Sequence, residues 1–243
     1  MTRFATALLT QTGCRASNED RAGFAMVGEV GCWLVADGLG GHRHGNIAAE
    51  TALSAMLDAF RAKPEASPQT LRALLAAGQS ALHMLQARRP ELARMRTTAV
   101  ALLADARHAC WAHAGDSRLY LFRDGRICAR TRDHSVAQTL VNLGELDEAA
   151  LRQDPDRSRL LRDLGGAGPV RATVTETPTI LSAGDVFLLC SDGFWEPLPE
   201  QAMEAALTPA IALPDWLDTL AAQLTARADP KQDNYTALAV RVL

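Results

Sequence analysis

Several acids in this chain occupy the same kind of place. Asp37 follows the apolar run CWLVA and precedes Gly38, and Asp192 follows VFLLCS and precedes Gly193. Asp116 follows ACWAHAG, and Asp233 opens DNYTALAV. Glu19 and Asp20 lie in SNEDRAGF, just ahead of another apolar segment. A single Asp-Gly is most simply a turn, because Asp bonds its own backbone and Gly supplies positive φ. RDGR at 123–126 is read only as that. A set of carboxylates at the ends of core strands asks for more. If they converge, their repulsion in a poorly solvated place must be relieved, and a divalent cation relieves it. Every candidate donor is an oxygen, with no Cys/His cluster, so a hard ion is expected, Mg²⁺ or Mn²⁺ before Zn²⁺. Gly38 brings a carbonyl with no side chain to keep a ligand away.

The acids need strands to carry them. Phe4–Thr10, Ala22–Val27 and CWLVAD have strand character. From Asn46, a candidate N-cap, Ala49, Ala52, Leu53, Met56 and Phe60 fall on one helical face. KPEASP breaks that helix, and Pro68–Arg88 reads as a second. Arg96–Ala104, His108–Ala114 and Ser117–Phe122 read as a meander joined by ADAR and GD, and RDG turns into Arg126–Arg130. Asp133–Leu151 reads as mostly helical with a break at Gly144. Val170–Thr175 and Asp185–Cys190 read as strands, PEQAMEAAL and Pro214–Ala228 as helices, and NYTALAVRVL as a closing strand. The expectation is an α+β sandwich of two antiparallel sheets with helices outside, in one domain over 1–243.

Composition excludes some functions. A net charge of −3 with no basic tract argues against nucleic acid, and no apolar run is long enough for a membrane span. The five scattered cysteines, without CxxC, read as reduced thiols of a cytoplasmic protein.

RASNED, VADGLGGHRHG, TTAVALL, AGDSRLYLFRDG, DHSVAQTLV, LLCSDGFWE and DNYTALAV occur in the order seen in the metal-dependent serine/threonine protein phosphatases, the PPM or type-2C family. The chain most resembles compact bacterial members, over about residues 8–241. The resemblance implies a central sandwich of two antiparallel sheets flanked by pairs of antiparallel helices, with a flap-like segment at about 133–170. It implies that Asp37 bridges two metals, that Asp192 and Asp233 complete the first, and that Glu19 and the Gly38 carbonyl complete the second. Asp116, with Asp192, matches a third and weaker site. Asp20 and Asn234 match positions behind the ligands, and Arg15 matches the arginine that meets substrate phosphate. The implied reaction is hydrolysis of phosphoserine or phosphothreonine by in-line attack of a metal-bridging water, with two or three Mn²⁺ or Mg²⁺ ions. Phosphoprotein substrates and an opposing Ser/Thr kinase follow as partners.

The animal-type pattern has His directly after the Asp-Gly, and Leu39 stands there, so His42 becomes the candidate acid for the leaving group, with a metal-bound water as the alternative. His44 reads as a solvated loop residue, His113 as a core or near-core histidine, and His134 as capping or orienting the helix after it. Arg157 and Arg159 of the flap-like segment are candidates to meet a phosphopeptide. The rival expectation is a phosphatase-like binding or regulatory module with weak catalysis. Retention of every matched acid argues against it.

Overall fold

The computed structural model describes residues 3–39, 44–208 and 210–243. Its core is built from strands apolar on both faces. In β5 (Ala99–Ala104) every residue is buried. Ala99, Ala101 and Leu103 face a helical layer, while Val100, Leu102 and Ala104 face the interior of a sandwich. This is period-two geometry with both faces covered, which reads in sequence as a continuous apolar run. β11 (Val186–Cys190) and β12 (Tyr235–Val242) are built the same way.

One antiparallel sheet runs β1 (Phe4–Gln11), β12, β11, β7 (Arg118–Arg123), β8 (Arg126–Arg130). The other runs β10 (Thr179–Ile180), β6 (His108–Ala114), β5, β3 (Val30–Leu39), β2 (Asp20–Val27). Short β4 (Arg96–Thr97) adds to β3, and β9 (Thr173–Val174) adds to β6. Phe4, Trp33, Leu102, Leu121, Phe187 and Leu238 fill the space between the sheets. Trp33 fixes them to each other: its ring meets Phe4 edge-on at 5.0 Å, and its Nε1 donates to Thr6 Oγ1 at 3.0 Å.

Helices α1 (Gly45–Ala62) and α2 (Pro68–Arg88) cover the second sheet. The expected stripe from Ala49 to Phe60 is buried. Ser67 caps α2 by accepting from Thr70 N at 3.1 Å, with Pro68 at the first helical position. α5 (Glu200–Ala206) and α6 (Leu213–Ala226) lie outside the first sheet, packed through Met203, Trp216 and Leu220. Each such fully buried side chain is worth roughly 1.5–3 kcal/mol. The α+β sandwich is as expected. No helix among the described residues is long and apolar enough to cross a membrane.

Four local expectations are corrected. His44, not Asn46, occupies the N-cap of α1; it is half-buried, and it makes no side-chain cap bond. Only α3 (Val136–Leu143) forms in 133–151; Gly144 ends it at φ 75, and a single 3₁₀ turn follows at Leu151–Gln153. Ser135, not His134, caps α3 by accepting from Gln138 N. Val170–Thr175 shrinks to β9.

The meander also divides. β6 pairs Ala114 with Ala99 in one sheet, while β7 pairs Arg118 with Cys190 in the other. Residues 115–117 therefore carry the chain across roughly 10 Å between stacked sheets rather than round a hairpin. Gly115 makes the crossing possible at φ 106, where an added Cβ would lie 2.6 Å from Thr98 Cγ2. Gly115→Ala should cost about 1–3 kcal/mol from strained backbone, read as a lowered urea midpoint. Gly144→Ala, at φ 75 in open space, should cost less.

Candidate active site

A cleft of about 650 Å³ opens at the edge of the sandwich, lined by Arg15, Glu19, Asp37, Gly38, Asp192, Asp233 and Asn234 among others. Asp37 sits near the end of β3, and its backbone is pinned by TTAVALL. Asp37 N donates to Thr98 Oγ1 at 2.9 Å, while Thr98 N and Thr97 Oγ1 both donate to Asp37 O at 2.8 Å. Asp192 begins the short helix α4 (Asp192–Trp195) directly after β11, and its Oδ1 accepts from Gly193 N at 2.6 Å. Asp233 precedes β12. Its Oδ1 accepts from Asn234 N at 2.8 Å and its Oδ2 from Arg15 Nη2 at 2.6 Å.

Asn234 ties the loop of Arg15 and Glu19 to the sheet. Its Oδ1 accepts from Glu19 N at 2.8 Å, and its Nδ2 donates to Thr12 O and Ser17 O. Gly38 and Gly45 touch backbone to backbone. A Cβ on Gly38 would overlap the Gly45 carbonyl, and one on Gly45 would meet both Gly38 O and Glu19 Oε2. The Gly38 carbonyl and the Glu19 carboxylate are therefore neighbours.

Asp20 and Asp116 stand behind the wall of the cleft, 2% and 4% exposed. The β2–β3 register sets Asp20 directly opposite Asp37. Asp20 Oδ2 accepts from Ser191 Oγ at 2.6 Å. Asp20 Oδ1 and Asp116 Oδ1 are buried with no hydrogen-bond partner among the described residues.

Burial pushes the Asp37 carboxyl well above the usual range, and the charges of Asp20, Asp192 and Asp116 push it further. Burial, then Asp192, raises Asp116; burial, then Asp233, raises both Asp192 and Glu19. Asp20 is pushed up to about 7, chiefly by burial. The side chains gather without closing on one point: among the described residues no three acidic, imidazole or thiol groups converge as a ready-made metal cage. The hydrogen bonds the acids do make come from Ser191 Oγ to Asp20, from Gly193 N to Asp192, and from Asn234 N and Arg15 to Asp233. The donor set nevertheless fits a hard divalent cation. It is all oxygen, it holds unpartnered buried oxygens, and its charges repel in the absence of a cation.

Glu196 and Ser158 also line the cleft, and the sequence reading missed them. Glu196 stands one helical turn after Asp192 in the quoted SDGFWE, a spacing that could have found it. Burial, then Asp192, pushes it up to about 7. Arg157 reaches the cleft and its Nε donates to Glu196 Oε1 at 2.9 Å, whereas Arg159 pairs with Asp156 and does not line it. His42 lies outside the described residues, as do Gly40 and Gly41. His113 is a core histidine as expected, 3% exposed, stacked on His134 at 4.3 Å.

Fold and cleft define a class: two antiparallel sheets between helical layers, with an oxygen-lined acid cluster and flanking arginines at the sheet edge. The chain belongs to the protein phosphatase 2C family, whose model matches residues 15–232. It is 35% identical over 202 residues to the serine/threonine protein phosphatase PstP of Mycobacterium tuberculosis, across 82% of this chain. The chain spans only 38% of that relative's length. It is 31% identical over 232 residues to the serine/threonine phosphatase stp of Listeria monocytogenes, covering 93% of this chain and 90% of the relative. The crystal structure of the PstP catalytic domain in complex with two manganese ions superposes with a TM-score of 0.82 at 28% identity, over 99% of this chain and 98% of that one.

Two measurements probe this geometry. Asp37→Asn removes one of the mutually repelling charges. It should raise the melting temperature of the metal-free chain by roughly 2–4 °C, the shift about 1 kcal/mol produces at this size, and reduce the stabilisation gained on adding Mn²⁺. The histidine pair gives an acid signature. Burial, then His113, lowers His134 to about 3 from the ordinary 6.5. Between those values the unfolded chain binds the proton and the folded chain does not, so stability is lost as pH falls below about 6.5. The advantage in urea midpoint of the native chain over His134→Gln should shrink between about pH 7 and pH 4.5.

Proposed function

We propose that this chain is a metal-dependent phosphoprotein phosphatase that hydrolyses phosphoserine and phosphothreonine monoesters in the cytoplasm, opposing a Ser/Thr kinase. The observation that carries the reading is the gathering of Glu19, Asp37, the Gly38 carbonyl, Asp192, Asp233 and Arg15 round one cleft in a protein phosphatase 2C chain. Relatives named serine/threonine phosphatases at 31–35% identity support it.

Glu19, Asp37, Gly38, Asp192 and Asp233 are the proposed holders of two Mn²⁺ or Mg²⁺ ions, and Asp116 with Asp192 of a third. Such ions would supply an activated water and a positive field for the phosphoryl oxygens. The rest falls to the protein. Arg15, 58% exposed on its side chain and paired with one acid, can exchange Asp233 for two phosphate oxygens and hold the group for in-line displacement. Thr97 and Thr98 fix Asp37 through its backbone and leave its carboxylate free for the cleft. Asn234 holds Arg15 and Glu19 at a set distance from Asp233. The proposed donor of the leaving-group proton is His42. Arg157 and Ser158 form the wall a phosphopeptide meets.

Asp192→Ala and Asp37→Asn should each lower Mn²⁺-dependent hydrolysis of a phosphothreonine peptide by about a hundredfold or more, the scale of losing one transition-state stabiliser. Arg15→Ala should raise KM as well as lower kcat. Hydrolysis that survives Asp192→Ala would sink the proposal and favour the binding-module alternative.

A further inference from the structure

The crossing at 115–117 is held residue by residue, each from a different part of the chain. Gly115 is clamped by His134, whose N donates to Gly115 O at 2.9 Å. Ser117 Oγ bonds Thr98 Oγ1 at 2.7 Å. Asp116 is held through its carbonyl, which accepts from Trp195 Nε1 at 2.9 Å. Of these three partners only Trp195 belongs to the element that carries another acid of the cluster. α4 begins with Asp192 and ends with Trp195. One short turn thus bears one acid at its start and grips the backbone of the second from its end.

The grip is built to be rigid. Trp195 is 1% exposed. The Arg118 guanidinium lies 3.3 Å from its ring centroid, itself fixed by Asp133 through bonds of 2.8 and 2.7 Å. A cation on the π face draws charge from the indole and strengthens its N–H as a donor. Arg152 donates to the carbonyls of Trp195 and Glu196 and pairs with Glu200. Asp116 Oδ1, by contrast, is buried without a hydrogen-bond partner among the described residues. Where that oxygen points therefore depends on how its backbone is held.

We propose that Trp195 is a positioning residue whose indole N–H sets Asp116 against Asp192, and so tunes the weaker cation site those two acids frame. This rests on the metal-binding reading above. The ring and its stack on Arg118 serve packing; the N–H serves the acid pair.

Trp195→Phe keeps the ring and deletes the donor. By calorimetry with Mn²⁺, its weakest binding phase should lose roughly fivefold to tenfold in affinity, the worth of one hydrogen bond, while the tighter phase stays. Asp116→Asn should weaken the same phase. The double variant should be no weaker than Asp116→Asn alone, because both changes act on one group. In the unsubstituted chain, the Trp195 indole N–H resonance should move as the weak phase fills with Mg²⁺; this reading stands even where the Phe variant folds poorly. A weak phase unchanged in a well-folded Trp195→Phe, additive losses in the double variant, or an indole resonance indifferent to Mg²⁺ would each overturn the proposal. A weak phase indifferent to Asp116→Asn would overturn it too, yet leave the phosphatase reading standing. A chain that binds metal as described but leaves phosphopeptides intact would do the reverse.

Discussion

Carboxylates buried side by side repel, and in this molecule that repulsion sets the terms for everything near the cleft. Asp20 and Asp116 are buried and Asp37 and Asp192 half-buried at the cleft floor, and each is held above its ordinary pKa by desolvation first and by its neighbours after. A nearby arginine could relieve the strain and would spoil the centre, because a neutralised acid has less to offer a divalent ion. The cations near the cluster are instead occupied. Arg118 is spent bidentately on Asp133, Arg157 on Glu196, and Arg15 reaches only the rim acid Asp233. Fold stability is given up at this point for function, and the surrounding sheets offset it.

The acids sit where they do because there is nowhere else for them. The inner strands are apolar on both faces, one packed on helices and the other on the opposite sheet. A carboxylate within such a strand would have no partner. The acids of the cluster enter where a strand ends or leaves its sheet: the ends of β3 and β11, the approach to β12 and the crossing from β6 to β7 supply them. The backbones there are fixed by Thr97, Thr98, Ser191, Asn234 and Trp195. The side chains need then be held by little beyond one another.

This arrangement explains what could be seen in advance. Short apolar runs bounded by turn residues located nearly every strand, and the recurrence of an acid just past such a run located the cluster. The order of strands could not be read, because β6 and β7 look like a hairpin whether they pair or part. Only the pairing of Ala114 with Ala99 and of Arg118 with Cys190 shows the chain changing sheets. That change gives Asp116 its place behind the cleft. Trp195 was invisible for a related reason. It acts on Asp116 through a backbone carbonyl, and a carbonyl leaves no mark on residue type. Glu196 carries no mark of its own in LLCSDGFWE, since a lone Glu after an aromatic has nothing in its residue type to set it apart; only the helical turn from Asp192 brings it to the cleft.

The nature of the cleft also limits how a phosphoester could be attacked. A covalent route needs a nucleophile beside a base. Ser17 and Ser158 line the cleft, but among its described lining residues there is no histidine or lysine to activate them, and no cysteine. Cys190 is close in sequence to Asp192, yet it is fully buried and its thiol is pushed up by desolvation, so it stays protonated. Arg15 and Arg157 can orient an anion but cannot take a proton. What remains at the centre is an array of carboxylate and carbonyl oxygens, which repel one another and suit a hard cation and the water it brings. A carboxylate committed to a cation is no longer free to attack phosphorus, so direct hydrolysis, rather than transfer through the protein, goes with the proposed metal binding.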